Sequence, residues 1–360
     1  MQALMFRGPH DVTVETVDEP GPLADLEVLL RPLNCGICGT DLHEFTSGPI
    51  VIPTSPHPLT GASAPQILGH EFSARVVDVG RDVGHVRAGD LVTVMPLITC
   101  GRCYYCVRGA NHLCTAMACT GLSSAWGGLG SLAVVSARQV VAVPEGMSPV
   151  QAALIEPTAV AAYGVDRGNV HPGDTVLVTG AGPIGSLVAM YALVRGARRV
   201  VVAETDPARA ARASTLGDGI GELLVIDPTS DSGAVGIVDL AGGVGCDVAV
   251  ECAGNERALN LCIDATRSAG TVVQTALHVR PASISAESVA VKDLTLVGTW
   301  CYPVWDFPRL IGLVASGRLP IERIVTSQPS LERAVPEGFE RLVEGRSGEV
   351  KVLVKVGGET

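Results

Sequence analysis

The stretch CGICGTDLHEF, residues 35–45, places two cysteines, a threonine, an aspartate and a histidine within eleven positions. Thiolates and imidazoles are common zinc ligands, and hydroxyl and imidazole groups can pass protons. The glycines Gly36 and Gly39 predict a turn-rich segment. By itself the stretch is compatible with a metal site, with a redox pair formed by Cys35 and Cys38, or with an ordinary loop. The remainder of the chain has to decide between them.

A second group of cysteines lies in CGRCYYCVRGANHLC, where the spacing allows one loop to wrap a tetrahedral ion. Its four thiols belong to Cys100, Cys103, Cys106 and Cys114. Four thiolates would fill every position around a zinc ion and leave none for a substrate, which indicates a structural site. Incidental loop cysteines and a zinc ribbon that binds nucleic acid are the alternatives. The net charge of −11 argues against the ribbon.

The elements that could position such chemistry are clearest in DTVLVTGAGPIGSLVAMYALVRG. An apolar strand, Thr175–Val178, precedes a glycine-rich turn, and an apolar helix then extends through Arg195. The turn consists of Gly180, Gly182, Pro183, Ile184 and Gly185. Glycines at this spacing permit the tight turn, the approach of a pyrophosphate to the backbone and close packing of helix on strand. The pattern predicts a dinucleotide-binding site.

The second strand of this region, RRVVVAETD, ends in Glu204, about twenty residues after the last glycine, as the dinucleotide fingerprint requires. A carboxylate there would accept hydrogen bonds from ribose hydroxyls and repel a 2′-phosphate, which favours NAD over NADP. Arg209 could instead meet a phosphate, and a solvated charge at a strand end is the plainer alternative for Glu204.

Three further apolar segments, CDVAVECAG, GTVVQTAL and DLTLVGTW, read as strands of the same doubly wound sheet. Ligands of such sheets bind beyond the carboxyl ends of the strands. The candidate coenzyme neighbours there are Cys252, Thr275, Leu277 and Thr299. The isolated cysteines Cys246, Cys262 and Cys301, and Cys252 itself, otherwise read as small buried hydrophobic residues.

Length and composition predict two globular domains and exclude some functions. The chain has 360 residues, of which 47% are hydrophobic and 18% charged, and the residues before about 150 favour a separate β-rich domain. The acidic net charge argues against nucleic acid or an anionic membrane as partner. The start of the chain lacks signal-peptide features and no window is apolar enough to span a bilayer, so we expect a cytoplasmic protein.

Hydride transfer to a dinucleotide is easier when a metal with an open position polarises the alcohol. Outside the four-cysteine loop, Cys38, His70 with Glu71 in LGHEF, and Glu156 in ALIEPTAV are the candidate ligands. Each has an ordinary alternative as a turn or segment end, but together they predict an open zinc site. A redox pair of Cys35 and Cys38 would leave Glu156 and the glycine turn without a role.

Five motifs follow one another along the chain: CGICGTDLH, GHEF, the four-cysteine loop, IEPTAVA and GAGPIG. Through them the chain resembles the zinc-containing medium-chain alcohol dehydrogenases over nearly its whole length. Glu156 stands where liver-type members have a cysteine, which indicates the polyol and butanediol branch. The long segment from Gly39 to Ser73 is similar to that of bacterial 2,3-butanediol dehydrogenases.

The resemblance implies an α/β fold with a Rossmann doubly wound parallel sheet and a β-rich GroES-like catalytic domain. Residues 1–157 and 299–360 would form the catalytic domain, and residues 158–298 the dinucleotide-binding domain. We expect an NAD-dependent zinc enzyme that interconverts a secondary alcohol, such as the vicinal diol 2,3-butanediol, and its ketone. A bulkier cyclic alcohol or a polyol is the alternative substrate, and a non-catalytic NAD-binding protein is the alternative class. A homodimer or homotetramer is expected.

The resemblance also assigns roles to single residues, with two zinc ions per chain. Cys38, His70 and Glu156 would hold the catalytic zinc, Glu156 directly or through water, and Glu71 would be the carboxylate behind it. Thr40 would take the alcohol proton, and His43 would relay it to solvent. The structural zinc would bind Cys100, Cys103, Cys106 and Cys114.

Two features depart from or add to the family pattern. Gly130–Val135 lacks the acid and both aromatic residues of the usual Gly-Phe-Ala-Glu-Tyr pattern. The segment TWCYPVWDFPRLI concentrates aromatic residues in a chain where they make up only 4%. That cluster is compatible with an apolar substrate pocket, a core or a subunit contact.

Overall fold

The computed structural model describes residues 1–230, 233–345 and 348–357. The chain divides into two compact units: Met1–Glu156, Pro303–Ala315 and Val325–Thr360 form the first, and Pro157–Tyr302 with Ser316–Ile324 form the second. The expected second domain did not include Ser316–Ile324. This segment joins the second unit because Arg323 donates hydrogen bonds to the carbonyls of Leu216, at 3.3 Å, and Asp218, at 2.7 Å.

The strands, in chain order, alternate with turns in the first unit and with helices in the second. They are β1 (Gln2–Gly8), β2 (Asp11–Thr16), β3 (Glu27–Gly36), β4 (Gln66–Ile67), β5 (Glu71–Val79), β6 (Leu91–Val94), β7 (Leu97–Ile98), β8 (Ala118–Cys119), β9 (Ala133–Ser136), β10 (Val140–Ala142), β11 (Thr175–Thr179), β12 (Arg199–Ala203), β13 (Glu222–Ile226), β14 (Cys246–Glu251), β15 (Thr266–Gln274), β16 (Thr295–Gly298), β17 (Val325–Ser327) and β18 (Lys351–Lys355).

The longest helices belong mainly to the second unit. The α-helices are α1 (Gly39–Ser47), α2 (Pro149–Ala153), α3 (Ile155–Arg167), α4 (Pro183–Val194), α5 (Pro207–Ala213), α6 (Gly233–Leu240), α7 (Glu256–Ala265), α8 (Ala286–Val291), α9 (Phe307–Ala315) and α10 (Glu340–Glu344). Short 3₁₀ turns lie at Cys106–Arg108, Asn111–Leu113, Ala137–Gln139, Val304–Asp306, Ile321–Ile324 and Leu331–Arg333, and a π-helical turn lies at Val335–Phe339. No helix in the described residues combines the length and apolar character needed to cross a bilayer.

The first unit is built from β-sheets, because its strands alternate buried apolar residues with polar ones. Its largest sheet has the order β10-β6-β5-β3-β18-β17, and β9 also pairs with β3. The central strand β3 pairs antiparallel with β5 on one side and with β18 on the other. Gly36, at the end of β3, lies opposite Glu71 of β5 and Leu353 of β18. This register brings three distant parts of the chain together.

The second unit contains a parallel sheet with the order β13-β12-β11-β14-β15-β16. Its strands are apolar and largely buried in the middle of the sheet, and helices follow most of them. The chain moves outward from β11 to β13 and then returns to place β14 on the other side of β11. This reversal is the position where doubly wound sheets bind their ligands. The predicted α/β fold class, which combines a doubly wound parallel sheet with a β-rich unit, is confirmed.

The local prediction for residues 35–45 was partly wrong. The segment was expected to be turn-rich, but Gly39 begins α1, a regular helix. The reason is a capping arrangement: the Asp41 carboxylate accepts a hydrogen bond of 2.9 Å from the backbone of Cys38, which stabilises the first turn.

Candidate active site

Helix α1 positions the first candidate ligand. Cys38 is its N-cap residue, with extended backbone angles, so the sulfur lies at the positive end of the helix dipole. The sulfur is 3.8 Å from the hydroxyl of Thr40. The Thr40 hydroxyl is therefore within reach of any group that binds beside the Cys38 sulfur.

Two further candidates lie where strand β5 starts, His70 directly before it and Glu71 as its first residue. His70 and Glu71 are buried, and their ligand atoms lie within 4.8 Å of one another and of the Cys38 sulfur. Gly69 allows this approach because its φ is +98° and because an added Cβ would lie 2.6 Å from the sulfur of Cys35. The fold therefore brings residues 38, 70 and 71 into one cluster.

The cluster fits a zinc ion. Its sulfur, nitrogen and oxygen donors are the ligand types of catalytic zinc sites. The Oδ1 atom of Asp41 lies 3.6 Å from Nδ1 of His70, and neither atom has a hydrogen-bond partner among the described residues. A carboxylate behind a ligating histidine is the usual outer shell of such sites, and it leaves Nε2 as the atom for the metal.

The electrostatics of this cluster are dominated by buried negative groups. Burial opposes a charge on the His70 imidazole, but the negative charges of Asp41 and Cys38 outweigh this and raise its pKa well above the usual value. The same negative groups would also attract a metal cation, which competes with the proton for the imidazole nitrogen.

Glu156 stands apart from the three clustered residues. It is buried near the start of α3, and among the described residues the set of ligand atoms within 4.8 Å does not include it. Its charge nevertheless helps to raise the pKa of Cys119 to about 12, after burial, which is the larger cause. Glu156 therefore lies in the neighbourhood of the cluster, and its role as a ligand stays a prediction.

Sequence reasoning missed three residues of this site. Asp41 places a buried carboxylate oxygen 3.6 Å from the His70 ring, and Cys119 lies where burial and the charges of His70 and Glu156 act on its thiol. Lys351 of β18 forms a buried ion pair with Glu71. The signal for Asp41 was its position between a ligand and a candidate proton relay, whereas no local pattern marks Lys351.

The candidate proton carriers lie on α1. Thr40 is half-buried, and His43, three residues further along the same helix, is exposed. Residues three apart share a helix face. The arrangement is suitable for transfer of a proton from a buried hydroxyl towards solvent, and both roles stay predictions.

The four-cysteine loop forms a second candidate metal site within the first unit. The sulfur atoms of Cys100, Cys103, Cys106 and Cys114 lie within 4.8 Å of one another. Gly101 and Gly109, with φ of +67° and +78°, allow the loop to wrap round them. Hydrogen bonds from the backbone amides of Cys106 and Thr115 lower the pKa of Cys103 to about 5. The loop thus stabilises a thiolate before any metal is considered.

The glycine-rich turn of the second unit has the geometry that its sequence predicts. Gly180 has a φ of +85°, and an added Cβ at Gly185 would meet the carbonyl of Gly180, so helix and turn pack without room for a side chain. Gly182 caps α4, and an added Cβ there would meet nothing within 4 Å. The turn with Pro183 and Ile184 therefore leaves open backbone at a helix N-terminus, which fits a pyrophosphate.

Glu204, the predicted ribose-binding carboxylate, directly follows strand β12 and has backbone partners of its own. It is buried, and it already accepts backbone hydrogen bonds from Ala181 at 2.7 Å, Thr205 at 2.7 Å and Asp206 at 2.8 Å. A carboxylate offers about four acceptor positions, so it retains room for about one ribose hydroxyl. The Nε of Arg209 is buried and has no hydrogen-bond partner among the described residues.

The remaining coenzyme candidates follow the strands of the parallel sheet. Cys252 lies 3.4 Å from an added Cβ at Gly185, so it borders the turn. The hydroxyl of Thr275 is buried without a partner among the described residues, and that of Thr299 donates to the carbonyl of Gln274. Leu277 is 61% exposed. An orphaned hydroxyl at a strand end fits a polar ligand.

The aromatic cluster of residues 299–311 does not act as one surface. Tyr302 and Phe307 are fully buried, whereas Trp300 and Trp305 are 44% and 60% exposed. The two buried rings belong to cores, and only the two tryptophans could contact another molecule.

The chain is similar to known dehydrogenases in sequence and in structure. Residues 24–145 match the Alcohol dehydrogenase GroES-like domain family, and residues 183–316 match the Zinc-binding dehydrogenase family. The (R,R)-butanediol dehydrogenase of Neisseria gonorrhoeae is 35% identical over 98% of this chain and 99% of its own. The crystal structure of 2R,3R-butanediol dehydrogenase from Bacillus subtilis has a TM-score of 0.91, 33% identity and 99% coverage of both chains. The NADP complex of a candidate zinc-binding dehydrogenase from Sinorhizobium meliloti 1021 has a TM-score of 0.88, 28% identity and 99% coverage of both chains.

The fold and the clustered donors define a zinc-binding oxidoreductase, and the chain belongs to the zinc-dependent alcohol dehydrogenase family. Its similarity to butanediol dehydrogenases confirms the predicted branch of that family. The chain is therefore an enzyme that acts on alcohols.

Proposed function

We propose that this enzyme is a zinc-dependent NAD(H) oxidoreductase that interconverts a secondary alcohol, preferably a vicinal diol such as 2,3-butanediol, and its ketone. The observation that carries the proposal is the closeness of the Cys38 sulfur and the His70 imidazole to each other, with the hydroxyl of Thr40 3.8 Å from that sulfur. The similarity to butanediol dehydrogenases supports the diol as substrate.

Different residues of the first unit would bind the metal and transfer the proton. Cys38, His70 and Glu156 would hold a zinc ion, which would supply Lewis-acid polarisation of the substrate hydroxyl. Thr40 would accept the hydroxyl proton, and the exposed His43 would pass it to solvent. NAD⁺, when bound to the glycine-rich turn, would supply the acceptor for the hydride from the carbinol carbon. One alcohol and one NAD⁺ thus give one ketone, one NADH and one proton.

The first unit would be the catalytic domain and the second the coenzyme domain. NAD is favoured because the buried carboxylate of Glu204 would lie against a 2′-phosphate and repel it. Two observations favour NADP instead. One relative was solved with NADP bound, and the buried Nε of Arg209 has no hydrogen-bond partner among the described residues. Initial rates with NAD and NADP at matched concentrations decide between them, and a higher kcat/KM with NADP would overturn this part of the proposal.

We also propose a homo-oligomer, in which β16 pairs with a second copy of the chain. β16 ends the order of the described parallel sheet, and an edge strand exposes unpaired backbone groups. Val279, Val291 and Leu296 in the same region are 77%, 77% and 41% exposed. Light scattering after size exclusion measures the mass, and Val291→Lys should lower it. Val235→Lys, on a similarly exposed valine of α6, is the control.

The main experiment measures NADH formation by the zinc-loaded enzyme with 2,3-butanediol and, separately, with a bulky cyclic secondary alcohol. Faster oxidation of the diol supports the proposal. Preference for the cyclic alcohol keeps the reaction but overturns the diol, and no oxidation of either alcohol by protein with two bound zinc ions overturns the reaction. A cytoplasmic location stays a prediction from the sequence.

A further inference from the structure

The buried ion pair between Lys351 and Glu71 is not explained by the roles given so far. The side chains are 1% and 3% exposed, and 280 residues separate them in the chain. The ammonium of Lys351 also donates a hydrogen bond of 3.0 Å to the carbonyl of Ile37. A charge from strand β18 is thus fixed against a carboxylate that lies within 4.8 Å of the Cys38 and His70 donors.

The backbone of β3 makes this pair possible. Gly36 lies between β5 and β18, and an added Cβ there would touch the Glu71 carboxylate and lie 2.8 Å from Cε of Lys351. The absence of a side chain at this one position lets the two charges meet across the central strand. Any other residue would separate them, so the pair depends on a specific feature of the sequence.

Stability alone is a weak reason for such a pair. The cost of removing two charges from water often exceeds their attraction, and apolar residues of similar size are frequently as stable. The Lys351 side chain instead has two fixed partners, the Glu71 carboxylate and the carbonyl oxygen of Ile37. Its charge is thus held beside the candidate metal site, where it can act.

The number of available donors suggests what that action is. With Cys38, His70 and Glu156 as ligands, a zinc ion has one position left for substrate. The Glu71 carboxylate is close enough to the first two donors to compete for that position. Four protein ligands would turn an open site into a closed one, as in the four-cysteine loop.

We propose that Lys351 is a positioning residue that holds the Glu71 carboxylate and keeps it from becoming a permanent zinc ligand. The inference rests on the zinc site of the proposed function and names the residue that keeps this site open. It assigns a task to β18, which contributes no zinc ligand. It also explains why Glu71 can lie beside the metal donors without closing the site.

The test compares zinc retention and site openness in folded protein, without alcohol or coenzyme. Lys351→Met removes the charge, Lys351→Gln leaves a hydrogen-bond donor, and Lys351→Arg keeps the charge. Lys355→Met, on an exposed lysine of the same strand, is the matched control. The rate of zinc transfer to a chelator is measured for each. In a second readout, Co²⁺ replaces zinc and imidazole is added, because an open position lets imidazole change the visible spectrum.

Loss of the charge should free Glu71 to bind the metal. A fourth protein ligand adds binding free energy, and every 1.4 kcal/mol is a factor of ten, so zinc transfer from this site should then slow by about tenfold or more in Lys351→Met and by less in Lys351→Gln. Imidazole should no longer change the cobalt spectrum. The additional substitution Glu71→Gln should reverse both effects, and Lys351→Arg and Lys355→Met should behave as the unchanged protein.

Equal or faster zinc transfer in both neutral variants, with imidazole still binding, would overturn the inference and leave the pair a purely structural one. Lys351→Gln keeps the test decisive if Lys351→Met does not fold. The outcome is separate from that of the proposed function. A protein that oxidises no alcohol can still show the slower transfer, and an active alcohol dehydrogenase can fail to show it.

Discussion

The first unit contains two candidate metal sites that are assembled in opposite ways. The four-cysteine site draws all its donors from residues 100–114, with one ligand type and short turns. The cluster of Cys38, His70 and Glu71 takes its donors from a helix cap and a strand start, and its supporting groups from Asp41 and Lys351. A local loop is sufficient to close a metal site, whereas an open one needs support from several elements.

The difference concerns charge as well as assembly. In the closed site, backbone amides stabilise a thiolate, as the lowered pKa of Cys103 indicates. In the open site, the Asp41 carboxylate lies next to the His70 ring, and the ammonium of Lys351 forms an ion pair with the Glu71 carboxylate. Substitutions at the closed site should therefore affect folding, and those at the open site should affect metal chemistry.

The largest effect is expected from Cys38→Ser. Loss of the thiolate should remove the open-site zinc and lower kcat by at least about 1,000-fold, because metal polarisation contributes several kcal/mol to such reactions. The unfolding temperature and the binding of NAD should change little. Kinetics, zinc content and thermal unfolding check this, and a variant with two zinc ions and normal turnover would contradict the assignment.

Cys114→Ser is the reciprocal experiment at the closed site. Removing one of four thiolates should release the structural zinc and lower the unfolding midpoint by roughly 5–10 °C, because structural zinc contributes directly to folding. At low temperature, each folded molecule should keep most of its turnover. Loss of activity without loss of thermal stability would reverse the roles of the two sites.

Asp41→Asn should weaken the open site without removing a ligand. The neutral amide holds the His70 ring less firmly, so the affinity for the second zinc should fall by about 10- to 100-fold. Chelator competition measures this, and the four-cysteine zinc should be unaffected. Asp78→Asn, at an exposed carboxylate of β5, serves as the control. Equal loss from both sites would indicate a general effect on folding instead.

Two glycine substitutions give the smallest expected effects. Gly36→Ala places a Cβ against Glu71 and Lys351, and such overpacking costs about 1–3 kcal/mol. Gly101→Ala meets nothing within 4 Å, so only its φ of +67° is unfavourable, at about 1 kcal/mol. Urea unfolding measures both, and only Gly36→Ala should also alter zinc transfer from the open site. The opposite ranking would contradict the described packing.

Much of this organisation could be predicted from the sequence where the determining residues are neighbours. The four cysteines and the glycine turn are local patterns, and their spacing alone indicates four ligand atoms in one place or a phosphate site. The turn-rich prediction for residues 35–45 failed because the cap formed by Asp41 is decided by one hydrogen bond. The two glycines of this segment indicate turns and give no sign of the helix that this hydrogen bond stabilises.

The open site was predictable only in part. His70 and Glu71 carry a motif, but the distance of Glu156 from the cluster depends on how α3 is placed. Glu204 was correctly placed at a strand end, yet its hydrogen bonds to Ala181 and the following amides arise only in the folded chain. Lys351 has no sequence signal, because its partner is reached through the pairing of β18 with β3.

The position of Lys351 along the chain also orders events in time. The four-cysteine site has all its ligands once residue 114 has been synthesised, and Glu71 must wait for 280 further residues before its cation exists. At about 5–20 residues per second, this interval lasts roughly 15–55 seconds during translation. Throughout it, a nascent chain carries Glu71 together with the Cys38 and His70 donors but lacks the lysine that restrains the carboxylate. A cell that supplies zinc early would meet a different site from the one in the finished enzyme.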